Sequence, residues 1–413
     1  MSQSQRRIIM PSDVFPPKCG GAGWSAHALA LALQERGEHV TAVVPRVGQS
    51  ALFHRYDVDD VPTINVAQPS MTTPLLRDIV RQYMVIPRLQ RAIRQAMVNP
   101  HQTIIHAQHI LAAQAAMPFR QFGAKVIITV RDHWPWDYQA TGMQMMGDQR
   151  HWREMWQTLA ARRATPQQRL LCGAYVWQMR QRAELLQHAD MVIGVSKYMR
   201  DRLSKYLPRS RVVAVPNMVD CAAIAQITAQ APTIAHLPER FSLFVGKLER
   251  NKGAEMLPEL ILRIRPPAIV VAGKGPLDDA IAAAAQAAKV PYVQLDWVEH
   301  DDVLRLMSRC ESLWFPSSWD EPLSRVLLEG LACGAPIVAM PTGGTSEIFV
   351  HERSGVFAND ITSFVDAVQR LHNESGWRHQ LQTGAKLRAQ QLFDKHVVIK
   401  HILDVYQAVR GHA

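Results

Sequence analysis

Short, uniformly apolar runs recur along this chain, and the stretches between them carry apolar residues at helical spacing. Residues 6–10, 38–44, 63–66, 103–107, 125–130, 190–196 and 211–215 read as strands, and Leu29, Ala30 and Leu33 mark a helix that stops at Gly37. The alternation pauses at 221–239, an Ala-rich stretch with Pro232 and Pro238, then resumes with apolar runs at 241–245, 268–272 and 312–315. Strands without internal polar alternation are covered on both faces, as in parallel sheets flanked by helices. Two α/β domains are expected, 1–220 and 241–413, joined by a linker at 221–240, with closing helices from Ser363 to Arg410.

Two segments depart from this rhythm. Over 74–97, Leu75, Ile79, Ile86 and Ile93 share one helical face while Arg77, Arg81, Arg88 and Arg91 share another, with a kink expected at Pro87. Such a helix suits an anionic membrane, or it packs on its own domain and leaves the arginines in water. Residues 150–182 hold seven arginines and one acid, Glu154, interleaved with Trp152, Trp156, Tyr175 and Trp177. They are expected as a helical, basic insertion near 140–188. Trp with Arg suits a lipid headgroup layer, a carbohydrate-stacking face or a nucleic-acid backbone, and equally a helix that turns its aromatics inward.

Charge sharpens the contrast between the halves. Residues 1–220 carry 27 Lys/Arg against 15 Asp/Glu, and residues 221–413 carry 19 against 21. The first half is therefore expected to meet something acidic. Five scattered cysteines with no C-x-x-C give neither a disulfide framework nor a zinc site and fit a reducing cytosol. No stretch of about 18 apolar residues occurs, so neither a signal peptide nor a membrane span is expected.

The chemistry concentrates in the second half, around Asp320-Glu321-Pro322-Leu323-Ser324-Arg325-Val326-Leu327-Leu328-Glu329-Gly330. Pro322 suits a first helical position and Gly334 a left-handed helix end, which places Glu321 at a helix mouth. On one helix Glu329 would lie about 12 Å further along and about 80° around, too far to share a metal but able to hold the other end of a long ligand. A sugar-nucleotide is such a ligand: hydroxyls at both ends, and a diphosphate between them that suits free N–H groups at a helix start. Upstream lie Lys247 and Lys252, expected at the carboxyl edge of the sheet, where point charges suit a diphosphate.

The order Gly246-Lys247-Leu248, Lys252-Gly253, Ala272-Gly273-Lys274-Gly275-Pro276, Glu321 to Glu329, and Gly343-Gly344 with Glu347 resembles the donor-binding half of the retaining family-4 glycosyltransferases. That resemblance implies a GT-B fold, two Rossmann-like α/β domains facing each other across a deep cleft, with an acceptor-binding N-terminal domain, a nucleotide-sugar-binding C-terminal one and a last helix that returns to the first. It implies a catalytic Glu321, donor contacts from Gly20, Gly21, Lys247, Lys252, Leu323, Ser324 and Glu329, and retention without a metal or other cofactor. Many members carry a His-Asp pair whose His contacts the donor sugar, where this chain, after Thr129-Val130, has Arg131-Asp132 with His133 one residue late. His106, Arg131, Asp132 and His133 are accordingly the candidate sugar or acceptor contacts.

The three glycines at 20, 21 and 23 lack a G-x-G-x-x-G frame and by themselves mark a tight turn as well as a phosphate loop. Asp57-Val58-Asp59-Asp60 contains a D-x-D, but a polar loop accounts for it and no metal is assigned. His106 and His109 have metal-pair spacing without a third ligand nearby. The expected partners are a nucleotide-sugar, a glycan or lipid-linked acceptor and an anionic membrane face met from the cytoplasm, in cell-envelope or exopolysaccharide synthesis. The alternatives are a silent sugar-nucleotide-binding protein or epimerase of the same fold, and a transferase acting on nucleic acid.

Overall fold

The computed structural model describes residues 7–17, 19–48, 52–70, 80–141 and 145–411. The chain forms two compact units, residues 1–216 with 399–413, and residues 217–398. The first is built on strands β1 Arg7–Pro11, β2 His39–Val47, β3 Phe53–Val58, β4 Val61–Gln68, β5 Thr103–Ala107, β6 Lys125–Val130, β7 Met191–Gly194 and β8 Val212–Ala214. Their order is β3-β4-β2-β1-β5-β6-β7-β8. In the centre Ile8 of β1 lies opposite Val40 on one side and Ile104 on the other. These residues are buried because helices cover both faces.

Every pairing in this sheet is parallel except β3 with β4. Strand β3 escapes a sequence reading because its half-exposed Phe-His-Arg-Tyr-Asp-Val is mostly polar. It turns into β4 through Asp59 and Asp60, both at positive φ (43° and 66°), the left-handed pair that matches strand twist in a two-residue hairpin. The D-x-D is thus a hairpin tip.

The second unit holds β9 Ser242–Val245, β10 Ile269–Ala272, β11 Tyr292–Leu295, β12 Ser312–Phe315, β13 Ile337–Ala339 and β14 Val356–Phe357. They pair in parallel in the order β11-β10-β9-β12-β13-β14. In each sheet the winding reverses once, between β1 and β5 and between β9 and β12, and ligand crevices of doubly wound sheets open at the carboxyl ends of such strands.

The stretch expected as a linker begins instead with a helix of the second unit, Cys221–Thr228. Its alanines favour helix, and the Asp220 carboxylate accepts from the Ala223 N–H at 2.9 Å as a cap while pairing with Lys395 at 2.8 Å. From Ile399 the last helix, Lys395–Gly411, belongs to the first unit, where buried Tyr406 places its hydroxyl 2.8 Å from His106 Nδ1.

Of the basic segment, 74–79, including Arg77, lies outside the described residues. A π-helical turn, Arg81–Val85, runs directly into the helix Ile86–Ala96, so Pro87 sits at the junction of the two helical forms, after backbone that is already helical at Val85. Arg88 donates to the Ala67 carbonyl at 2.5 Å and Arg91 lies over the Phe53 ring at 5.5 Å, so both are committed to their own unit.

The insertion is three helices, Trp152–Ala161, Pro166–Leu170 and Cys172–Gln187, around a small core of Met155, Leu159, Ala164, Cys172, Val176 and Met179. Tyr175 turns inward against Tyr138, but Trp152, Trp156 and Trp177 are 56%, 44% and 61% exposed. Asp137, fully buried, ties the insertion to the loop after β6. Its carboxylate receives both Arg162 Nη atoms at 2.8 and 2.9 Å and Gln149 Nε2 at 3.1 Å.

Candidate functional site

In the second unit, β9 ends into Gly246-Lys247 and β12 into Pro316-Ser317, so the loops at the winding reversal carry the candidate residues. Glu321 is buried, with Lys252 Nζ 2.6 Å and Ser317 Oγ 3.2 Å from its Oε1. Burial pushes its carboxyl above the usual carboxylate range, against the pull of Lys252 and Ser317. Lys252 also lies over the Trp319 ring, 4.5 Å from the centroid. Lys247 is exposed, 3.9 Å from Glu249.

The helix begins later than the sequence suggests, at Arg325, and Glu321 to Ser324 is an extended loop. Pro322 biases Glu321 away from helical backbone, and the Glu321 carbonyl accepts from the Gly344 N–H at 2.6 Å. Gly343 makes that contact possible: it holds φ +54°, and a Cβ there would lie 2.5 Å from the same carbonyl. Glu321 and Glu329 are therefore placed by a loop and a helix, and the spacing estimated for one continuous helix does not apply. Buried Leu323 and Ser324 lead into the helix, whose first N–H groups have no acceptor inside it.

Glu329 is held from two sides. Arg325 Nε donates to its Oε1 at 2.6 Å from one turn earlier, and His300 Nε2 lies 2.9 Å from the same oxygen. Burial raises the carboxyl's pKa, but Arg325 and His300 outweigh it and hold the group below the ordinary range. Both bonds end on Oε1, which leaves Oε2 for another donor. The four-residue spacing of Arg325 and Glu329 was readable in the sequence, whereas His300 arrives on a separate helix, His300–Arg309.

In the first unit, Gly20 caps the helix Gly21–Gln34, and both glycines are exposed at its N-terminus. The candidates after β5 and β6 divide. His106 is fully buried between Tyr406 and the Thr129 hydroxyl, 2.7 Å from its Nε2, and burial with nearby Arg131 lowers its pKa to about 3. His133, also fully buried, accepts from Trp136 Nε1 at 3.0 Å. Both rings, expected as sugar or acceptor contacts, are thus buried inside the first unit, His106 between Tyr406 and Thr129 and His133 against Trp136. Arg131 reaches Gln108 Oε1 at 2.6 Å.

Asp132 has found a different histidine. His109 Nε2 lies 2.5 Å from Asp132 and its Nδ1 3.0 Å from Asp13, whose carboxylate also takes the N–H groups of Leu111 and Ala112. Burial alone would lower the His109 pKa, but the two carboxylates raise it to about 10, so the ring is an imidazolium at neutral pH. His109 also holds φ 125°, a strained backbone for a non-glycine residue. A His-Asp pair is thus assembled from the ends of β5 and β6, and no local pattern in the sequence shows it.

Comparison with known proteins agrees with this architecture. Residues 19–223 match the model for Glycosyltransferase Family 4 and residues 239–374 that for Glycosyl transferases group 1. The putative glycosyltransferase YtcC of Bacillus subtilis is 24% identical over 252 residues, 55% of this chain and 62% of the relative. A glycogen synthase of Mycobacterium tuberculosis is 25% identical over 236 residues, 55% of this chain and 56% of the relative. The chain thus spans about half to three-fifths of the length of these curated relatives. Among solved structures, sucrose-phosphate synthase from Thermosynechococcus elongatus superposes with a TM-score of 0.73 at 20% identity, covering 99% of this chain and 100% of that one. Anabaena HepE in complex with UDP-glucose gives 0.66 at 15% identity, covering 98% and 100%.

Proposed function

Because the chain belongs to the family-4 glycosyltransferases of GT-B fold, we propose that it moves a sugar from a nucleoside-diphosphate sugar to a glycan or lipid-linked acceptor, with retention and without a metal, in cell-envelope or exopolysaccharide synthesis. The observation that carries this reading is the pair of buried carboxylates after β12, Glu321 oriented by Lys252 and Ser317, and Glu329 presenting Oε2. Glu329 accepts from ribose hydroxyls and Glu321 positions the sugar. Between them the diphosphate lies against the first N–H groups of the helix Arg325–Cys333 with Lys247 nearby and Lys252 shared with Glu321. These groups stabilise negative charge as it accumulates on the leaving diphosphate, which is electrostatic preorganisation.

HepE, a neighbour in fold, has been solved with UDP and with UDP-glucose, which supports a nucleotide-sugar as the donor class. The test is a panel of labelled donors incubated with a membrane extract. Transfer with the donor's anomeric configuration kept in the product, read by NMR, is the expected result. An inverted product overturns retention, and donor binding without turnover leaves a silent binding protein. Activity is expected to persist in excess EDTA, since cations and helix N–H groups carry the charge a metal would carry; loss restored by Mg²⁺ or Mn²⁺ overturns that part.

Arg325 gives a sharper check on the ribose end. Arg325→Leu is expected to raise the donor KM about tenfold with kcat nearly unchanged, because Glu329 loses one charge-assisted bond that fixes its free oxygen. Arg325→Lys should recover part of that loss. A fall in kcat at constant KM would instead place Arg325 in the chemical step.

A further inference from the structure

The outward tryptophans of the insertion form one surface. Trp152 and Trp156 are four residues apart on the helix Trp152–Ala161, as are Gly173 and Trp177 on the helix Cys172–Gln187. The two pairs meet, since a Cβ on Gly173 would lie 3.3 Å from the Trp152 ring. Leu170, at the end of the short helix before Gly173, is 86% exposed. Burying these side chains inside the unit was one reading of the sequence, and their exposure removes it.

The arginines of the segment separate by role. Arg150 pairs with Asp148, Arg162 with Asp137, and Arg182 donates to the carbonyls of Trp134 and Asp137. Those three hold the insertion together. Arg153, beside Trp152, Arg163, just beyond that helix, and Arg180, three residues after Trp177 and bonded through Nε to the Arg150 carbonyl at 3.0 Å, remain exposed.

We propose that this surface, Trp152, Trp156, Leu170 and Trp177 flanked by Arg153, Arg163 and Arg180, docks the protein on an anionic lipid bilayer. It deepens the lipid-linked acceptor reading and rests on it for the source of the substrate. Indole rings favour the headgroup level, where an apolar body and a polar N–H are both satisfied, and arginines beside them neutralise acidic headgroups. A second copy of the chain is disfavoured as occupant because it would bring arginine against arginine, on a half that carries 27 Lys/Arg against 15 Asp/Glu.

The experiment is co-sedimentation of the full chain with phosphatidylcholine vesicles, with and without phosphatidylglycerol, at low and high salt. Tryptophan quenching by brominated lipid reads insertion directly. Binding to the anionic vesicles at low salt, weaker at high salt, with quenching, is expected. The variant with Trp152→Ser, Trp156→Ser and Trp177→Ser should bind about tenfold or more weakly and lose most quenching. Its affinity for a nucleotide-sugar should stay unchanged, so failure of docking and failure of the transferase reading are separable. If the triple variant misfolds by circular dichroism, Trp177→Ser alone and quenching of the unmodified chain decide the question. No sedimentation with anionic vesicles, no quenching, or undiminished binding by a folded variant overturns the proposal, as does equal salt-dependent binding to duplex DNA without any to vesicles.

Discussion

Glu321→Ala is expected to lower kcat by about 10²–10³ with a small change in donor KM, the usual loss when one preorganised polar group is removed from a reacting centre. Glu329→Ala is expected to do the reverse, raising donor KM about 10–100-fold, the range for charge-assisted hydrogen bonds of about 1.5–3 kcal/mol, while kcat falls little. The asymmetry follows from placement. Glu321 is oriented by Lys252 and Ser317 on the loop after β12, whereas Glu329 lies inside the helix with only Oε2 uncommitted. Glu321→Gln keeps the shape and loses the charge, and it should resemble Glu321→Ala in kcat. Steady-state kinetics with the best donor of the panel decides the matter: equal KM increases for both alanine variants, with kcat untouched, would refute the assignment.

Asp137→Ala is expected to be the most destabilising single change in the first unit, by about 3–5 kcal/mol, because it removes the carboxylate that pairs a buried guanidinium. Arg162 is 8% exposed and directs both its Nη atoms to that one carboxylate, which also receives Gln149 and the Thr141 N–H. Thermal unfolding of the full chain followed by circular dichroism should show the loss, and Asp137→Asn should recover only part of it. A melting temperature within a degree or two of the parent would mean that the Tyr138 ring, 5.1 Å from the Arg162 guanidinium, and the other neighbours hold that charge without Asp137.

Much of the fold was legible because its strands are buried on both faces, which leaves uninterrupted apolar runs such as Ile8-Ile9-Met10 and Leu313-Trp314-Phe315. Strand β3 was not, since an edge strand with water on one side has no such run. The misplaced helix start at Glu321 has a similar cause. Pro322 is equally at home in the first turn of a helix and in an extended loop, and the contact that chooses, from Gly344 to the Glu321 carbonyl, joins residues 23 positions apart. The site's charged partners follow the same rule. Arg325 and Glu329 share a helix and so a readable spacing, but His300 with Glu329, and His109 with Asp132, are brought together only by the sheet order.

The contact between His106 and Tyr406 has a consequence for the order of events at the ribosome. The first unit lacks its residues 399–413 until everything up to Val398 has been made, although its other residues end at Pro216. At about 5–20 residues per second, that interval is roughly 10–40 s of synthesis. Throughout it the face of β5 that Tyr406 will cover stays open, with His106 short of one of its two ring partners. Of the two units, the first thus starts to emerge earlier yet is completed later, after the second has been synthesised.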